Sequence, residues 1–388
     1  MNNASERTDW KMLENIWFVA AIWVGFAFVA SLISIRLGIA VTLIEILMGV
    51  IMGNFLGITG STEWVDFLAY MGSLTLTFLA GAEIDPKSLK ANLKASLLMG
   101  GLSFALPFLG VWAFTQHVLG WGLPQAQIAG IALSTTSVAV IYSVMIEKGL
   151  SETSLGKLIL IACFVTDLGT VITLGVIFAN FNVIMVLFIV AMAAAFIAMP
   201  YIMKTFIKKY GANKTSEPEL KFIMLILFIF AGLATAAKSE AVLPAYLIGL
   251  AVAGVFVSDK TLVKRLRTIA FTIFTPIYFI KAGLYISLCA ILASFGTILI
   301  LLLLKVGFKS AGVWPVSRAI KLSTKASNYT TLLMSTGLTF GTISALFGLN
   351  NGIIDQNQYT ILVTVVILSA VIPTIIAQKF FEPSITSR

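Results

Sequence analysis

The chain has 388 residues, 59% of them apolar and only 11% charged, with a mean hydropathy of +1.00. Such a composition excludes a soluble globular domain and describes a polytopic membrane protein. A formal net charge of +9 would suggest nucleic acid in a soluble protein, but here the basic residues lie between apolar runs, where they read as topology signals and contacts with anionic lipid; no nucleic-acid partner is expected.

A polar stretch of mixed charge, 1–15, precedes the first apolar run and lacks the basic start of a cleaved signal peptide. Cutting the apolar runs at charges and at Gly, Pro and Asn predicts helices over 16–35, 38–57, 64–84, 95–119, 125–147, 156–180 and 182–208. Six more follow over 218–236, 240–257, 264–284, 287–312, 327–348 and 357–382. The fold class expected is an all-α polytopic membrane protein of about 13 transmembrane helices. With that count, one side holds three basic loop residues, Arg7, Lys11 and Lys238, and the other holds nineteen. By the positive-inside rule the chain sits in the cytoplasmic membrane with its N-terminus outside and its C-terminus inside. The longest polar loop, with a cytoplasmic linker at 209–219, divides one integral membrane unit, 1–388, into halves at 16–208 and 220–388.

Helix five carries Ser134-Thr135-Thr136-Ser137 at mid-membrane, and helix twelve carries Ser335-Thr336-Gly337-Leu338-Thr339-Phe340-Gly341-Thr342. Both are poor helix continuations in lipid, because hydroxyls compete for backbone bonds and glycines loosen the turn. Each precedes the helix that closes its half, and paired interruptions of this kind point to broken helices at a transporter's midplane site.

Between them in function stands Asp167, almost at the midpoint of the apolar helix 156–180. A carboxylate at the bilayer centre costs at least about 2.5–3.5 kcal/mol, which makes an ion- or proton-handling role the default. With the hydroxyl of Thr166 and those of Thr135, Thr136 and Ser137, it forms a hard-oxygen site for a monovalent cation. One negative charge holds either a cation or a proton, and that competition suffices for exchange if the site faces one side at a time. Three lysines share the apolar region: Lys281 and Lys305 are candidate counter-charges or second proton carriers, and Lys309 is expected to reach the interface. Glu45, flanked by apolar residues, is either functional or part of a helix contact. Glu83 and Asp85 lie at a helix end. His117, beside Trp112 and Trp121, reads as interfacial. Cys163 and Cys289 imply neither disulfide nor metal site, and no phosphate loop, HExxH or hydrolase elbow appears, so neither an enzyme nor a cofactor is expected.

The run Gly130–Val140, then Gly149–Ile172, resembles the helix pair that carries the ion site in monovalent cation:proton antiporters, nearest the NapA-type sodium and Kef-type potassium transporters. Ile44-Glu45-Ile46-Leu47-Met48-Gly49-Val50, Phe78-Leu79-Ala80-Gly81-Ala82-Glu83, Thr275-Pro276-Ile277-Tyr278-Phe279 with Gly283, and Lys305 extend the likeness over nearly the whole chain. The resemblance implies two inverted repeats with two broken, crossing helices, a homodimer and an elevator-like movement. It matches Asp167 to the essential aspartate, Thr136 and Ser137 to the broken helix near the ion, and Lys305 to the lysine of electrogenic members. Two departures stand out. Thr166 replaces the first of two adjacent aspartates, and Phe340-Gly341-Thr342 stands where many members carry charges. With one carboxylate fewer, the expected activity is electroneutral one-for-one exchange of Na+ or K+ for H+. The alternative is a sodium-coupled symporter of an organic anion on a related scaffold. Selectivity among Na+, K+ and Li+ is not encoded in these motifs.

Overall fold

The computed structural model describes residues 15–383 except 38–39, 57, 59–60, 83–92, 148–149, 151–152, 179–182, 211–215, 238–240 and 259. The polar N-terminus, Glu83 and Asp85, and residues 211–215 of the expected linker thus lie outside the described residues. Among the described residues every regular element is helical. In chain order these are α1 (Ile16–Leu37), α2 (Val41–Phe55), α3 (Glu63–Ala82), α4 (Leu93–His117), α5 (Leu123–Ser134), α6 (Val138–Glu147), α7 (Ser154–Ile177), α8 (Val183–Tyr210) and α9 (Pro218–Ala236). Then come α10 (Val242–Ser258), α11 (Lys260–Ile269), α12 (Thr275–Leu284), α13 (Leu288–Ala293), α14 (Phe295–Ala319), α15 (Thr324–Met334), α16 (Thr339–Asn350) and α17 (Gln356–Phe380).

Four crossings are built from two pieces. α5 and α6 are interrupted at 135–137 and α15 and α16 at 335–338, a π turn (Ala270–Phe274) joins α11 to α12, and α13 meets α14 at Ser294. Counted so, the described helices make thirteen crossings, as the loop charges predicted. Two ends differ from expectation: the tenth crossing begins at Lys260 rather than 264, and the eleventh runs to Ala319 rather than 312. Basic residues there did not end the helix, because long cationic side chains can run along it to the interface.

Lipid explains which faces these helices bury. α1 is 22 residues long yet buries only Trp23 and Ala30, and α8 turns Val186, Leu187, Val190 and Ile197 outward. Large apolar side chains point outward where the surroundings are hydrocarbon, while backbone polar groups close on themselves in helices. Side-chain caps close two helix starts: the Thr153 hydroxyl accepts from Gly156 N–H at 3.1 Å, and Asp355 with Gln358 forms a capping box at α17.

The chain packs as two compact units. One comprises the described residues up to Ser73 with Ile269–Leu288, and so contains α1, α2, the start of α3, the π turn and α12. Here α2 and α12 cross backbone to backbone. A methyl group at Gly49 would collide with the Ile280 carbonyl, and one at Gly283 with that of Ile46. The other unit, Leu74–Thr268 with Cys289–Arg388, holds the rest. Its buried core brings Met99 of α4, Ile141 and Met145 of α6, Ile159 of α7, Val313 of α14 and Tyr329 of α15 together around the two interrupted crossings.

Candidate ion-binding site

Both hydroxyl-rich stretches are breaks, and they pass each other. α5 ends at Ser134, Thr135 turns extended (φ −65°, ψ 156°), and α6 resumes at Val138; α15 ends at Met334 and α16 resumes at Thr339. A helix end leaves its last carbonyls without donors, and these sequences supply them. Ser134 Oγ donates to Ile131 O at 2.8 Å and Thr135 Oγ1 to Ala132 O at 3.0 Å; Ser335 Oγ donates to Thr331 O and Thr336 Oγ1 to Leu333 O. The breaks are then tied across: Ser137 N–H donates to Thr336 O at 3.1 Å and Thr136 Oγ1 to Met334 O at 3.0 Å. Gly341 lets the strands approach, since a methyl group there would lie 2.9 Å from Ala132 O and 3.0 Å from Thr135 Oγ1. Thr342 is buried and donates to Leu338 O, whereas Thr339 is half-buried at the start of α16.

Asp167 lies on α7, 1% exposed, and its Oδ1 is fully buried with no hydrogen-bond partner among the described residues. α7 is pressed on α4, where a methyl group at Gly100 would meet Ala162 O and Val165. Thr166, next in the chain, turns to α4: its hydroxyl lies 3.2 Å from Gly100 O and 3.0 Å from Ala162 O. Its hydrogen is thus committed to backbone while its lone pairs stay available. From α10, Tyr246 donates to Phe164 O at 3.2 Å, and its ring lies edge-on to Phe340 of α16.

The lysines separate. Lys309, expected at the interface, is instead fully buried on α14, donating to Thr136 Oγ1 at 2.8 Å and Ser103 Oγ at 3.0 Å. Gly312 brings it there, because α14 touches the Leu102 carbonyl of α4 one turn on. Lys305, one turn earlier, is also fully buried, but its Nζ has no hydrogen-bond partner among the described residues and rests against Gly337 in the second break. Lys281 belongs to the other unit, where its Nζ is 2.9 Å from Asp66 Oδ1 and 5.4 Å from the Tyr70 ring centre. The structure therefore brings Thr135, Thr136, Ser137, Gly337 and Gly341 together with Lys305. Sequence reasoning missed Ser103 and favoured the interface for Lys309; the available signal against that was the four-residue spacing of Lys305 and Lys309, which puts both on one face of a helix. No group of three or more His, Cys, Asp or Glu able to hold a metal occurs among the described residues.

Residues 24–382 match the family described as sodium/hydrogen exchanger, transmembrane. The chain belongs to that family. Its members are transporters, and this exchanger is a multi-pass membrane protein of antiporter type rather than an enzyme. It is 24% identical over 381 residues to the probable Na(+)/H(+) antiporter 3 of Methanocaldococcus jannaschii, covering 95% of this chain and 97% of that one. It is 26% identical over 352 residues to the Na(+)/H(+)-K(+) antiporter GerN of Bacillus cereus, covering 88% and 89%. Among solved structures, the sodium proton antiporter MjNhaP1 of M. jannaschii superposes with a TM-score of 0.70 at 17% identity, over 94% of this chain and 98% of that one. The exchanger thus shares that fold.

Proposed function

We propose that this exchanger trades a monovalent cation, Na+ or K+, for H+ at Asp167. The observation that carries the reading is the buried, unpartnered Oδ1 of Asp167. A charge placed there without a partner is costly, so the oxygen has a ligand to hold, and one carboxylate holds a cation or a proton but not both. Thr166, Thr135, Thr136 and Ser137 are the proposed hydroxyl ligands, and the turns opened at the breaks add carbonyl oxygen. The names of the relatives, a probable Na(+)/H(+) antiporter and the Na(+)/H(+)-K(+) antiporter GerN, support that cargo.

Lys309 is assigned the counter-charge. When the site holds neither ion, the ammonium offsets Asp167; a cation arriving at the carboxylate displaces that attraction, and Thr136 and Ser103 keep Lys309 in place. Because Thr136 sits in the break itself, loading the site bears directly on the crossing. The crossing then opens to one side at a time, and with one carboxylate the count is one cation for one proton. The N-terminus outside, the homodimer and the contact with anionic lipid belong to the same proposal.

The test is Asp167→Asn in everted vesicles. The variant keeps the shape and removes the charge, and it should no longer dissipate a pH gradient when salt is added; undiminished exchange overturns the assignment. A second reading follows from the bare Nζ of Lys305. If that amine gains and loses a proton in the cycle, exchange moves net charge, and its rate in liposomes then changes when the membrane potential is clamped.

A further inference from the structure

One buried acid takes no part in that site. Glu45, on α2, is 2% exposed; its Oε2 is fully buried with no hydrogen-bond partner, and no ion pair reaches the residue among those described. Thr42 lies one turn earlier on the same helix, so both side chains share a face. Its Oγ1 is likewise buried and unpartnered, as is that of Thr275 at the start of α12. α2 and α12 run parallel, with Gly53 against Leu284, Asn54 bonded to Ile286 O at 2.7 Å, and Gly49 against Ile280. Thr42 and Thr275 therefore fall towards the same end of the pair. Thr275 also closes the π turn and precedes Pro276, which has no N–H, so a backbone carbonyl one turn back lacks its helical donor.

We propose that Glu45 is a second proton-binding site, separate from Asp167, which holds its proton as a neutral carboxylic acid beside Thr42 and Thr275. A cation is the poorer occupant. A hard ion gathers about six or more oxygens, and α2 is an unbroken helix whose carbonyls are taken, unlike the opened turns near Asp167. The backbone contact at Gly49 and Gly283 also leaves no space for a hydrated ion. The charged and titratable groups on α1, α3 and α12 within this unit are Arg36, exposed at the end of α1; Glu63, Asp66 and Tyr70 on α3; and Tyr278 and Lys281 on α12. Of these, Asp66 and Lys281 are engaged with each other. The proton at Glu45 is thus what keeps the α2–α12 crossing free of net charge.

Infrared difference spectra of the purified full-length protein, in H2O and D2O, test this. At neutral pH a protonated carboxyl band, shifted by deuteration, should persist in Asp167→Asn, ignore added Na+, and vanish in Glu45→Gln, a replacement of the same shape. Thr275→Val keeps the acid and removes a neighbour, so the band should remain and shift. Spectra of Glu45→Gln that coincide with the parent's at every pH overturn the proposal, as does a band in Asp167→Asn that Na+ removes or one that Thr275→Val leaves unmoved. Transport by Asp167→Asn is read separately, so a failure of the Asp167 assignment does not look like a failure of this one.

Discussion

The two helix breaks look alike in sequence and differ in what they hold. The first, Thr135 to Ser137, offers Thr136 Oγ1 to Lys309, which Ser103 steadies from α4; at the second, Ser335 to Leu338, the Lys305 ammonium lies where a side chain on Gly337 would stand and has no hydrogen-bond partner among the described residues. Two ammonium groups one turn apart on α14 are therefore unequal: one is hydrogen-bonded twice, and the other has no hydrogen-bond partner among the described residues. The difference teaches that an interruption in a helix becomes a polar site only when its hydroxyls face the incoming charge. In the second break the hydroxyls of Ser335 and Thr336 are turned back on α15, and glycine fills the facing position.

Mutations at these breaks should separate the two roles. The largest effect belongs to Asp167→Asn, which should reduce cation-dependent proton flux to the level of vesicles without the protein. Next comes Lys309→Met, which on the proposed assignment leaves Asp167 without a counter-charge and should cost about 3 kcal/mol of stability in a thermal melt, with transport lost as well. Thr136→Val removes both the bond to Met334 O and the acceptor for Lys309, and should cost about 1–3 kcal/mol. Ser103→Ala, with Thr136 still in place, should cost about 1 kcal/mol by the same assay while lowering the transport rate. Lys305→Met should fall at the opposite end, neutral or stabilising by about 1 kcal/mol, because it deletes a buried ammonium that has no bond to lose. Equal destabilisation by Lys305→Met and Lys309→Met would break the comparison.

Much of the site was legible because each feature is local. A carboxylate at the middle of an apolar helix, or four hydroxyls in a row, is unusual in lipid wherever the chain folds, so Asp167 and the segment at 134–137 stood out. Lys309 did not, since a lysine that reaches the interface and one that is buried have the same apolar neighbours in sequence. What separates them is a second helix: α4 comes within contact at Gly312 and places Ser103 beside the ammonium. Lys281 shows the converse, for its partner Asp66 lies far off in the chain.

From the sequence alone came the membrane class, the thirteen crossings, the two interruptions and the central acid, since hydrocarbon imposes length, charge placement and backbone closure on every span by itself. Tertiary structure decided which side chains meet: that the breaks bond through Ser137 N–H and Thr336 O, that Lys309 is hydrogen-bonded while Lys305 has no such partner among the described residues, and that Glu45 is buried without one either. Partnership between charges across helices depends on close backbone approach at glycines such as Gly49, Gly312 and Gly341, and no periodicity along a single helix records it.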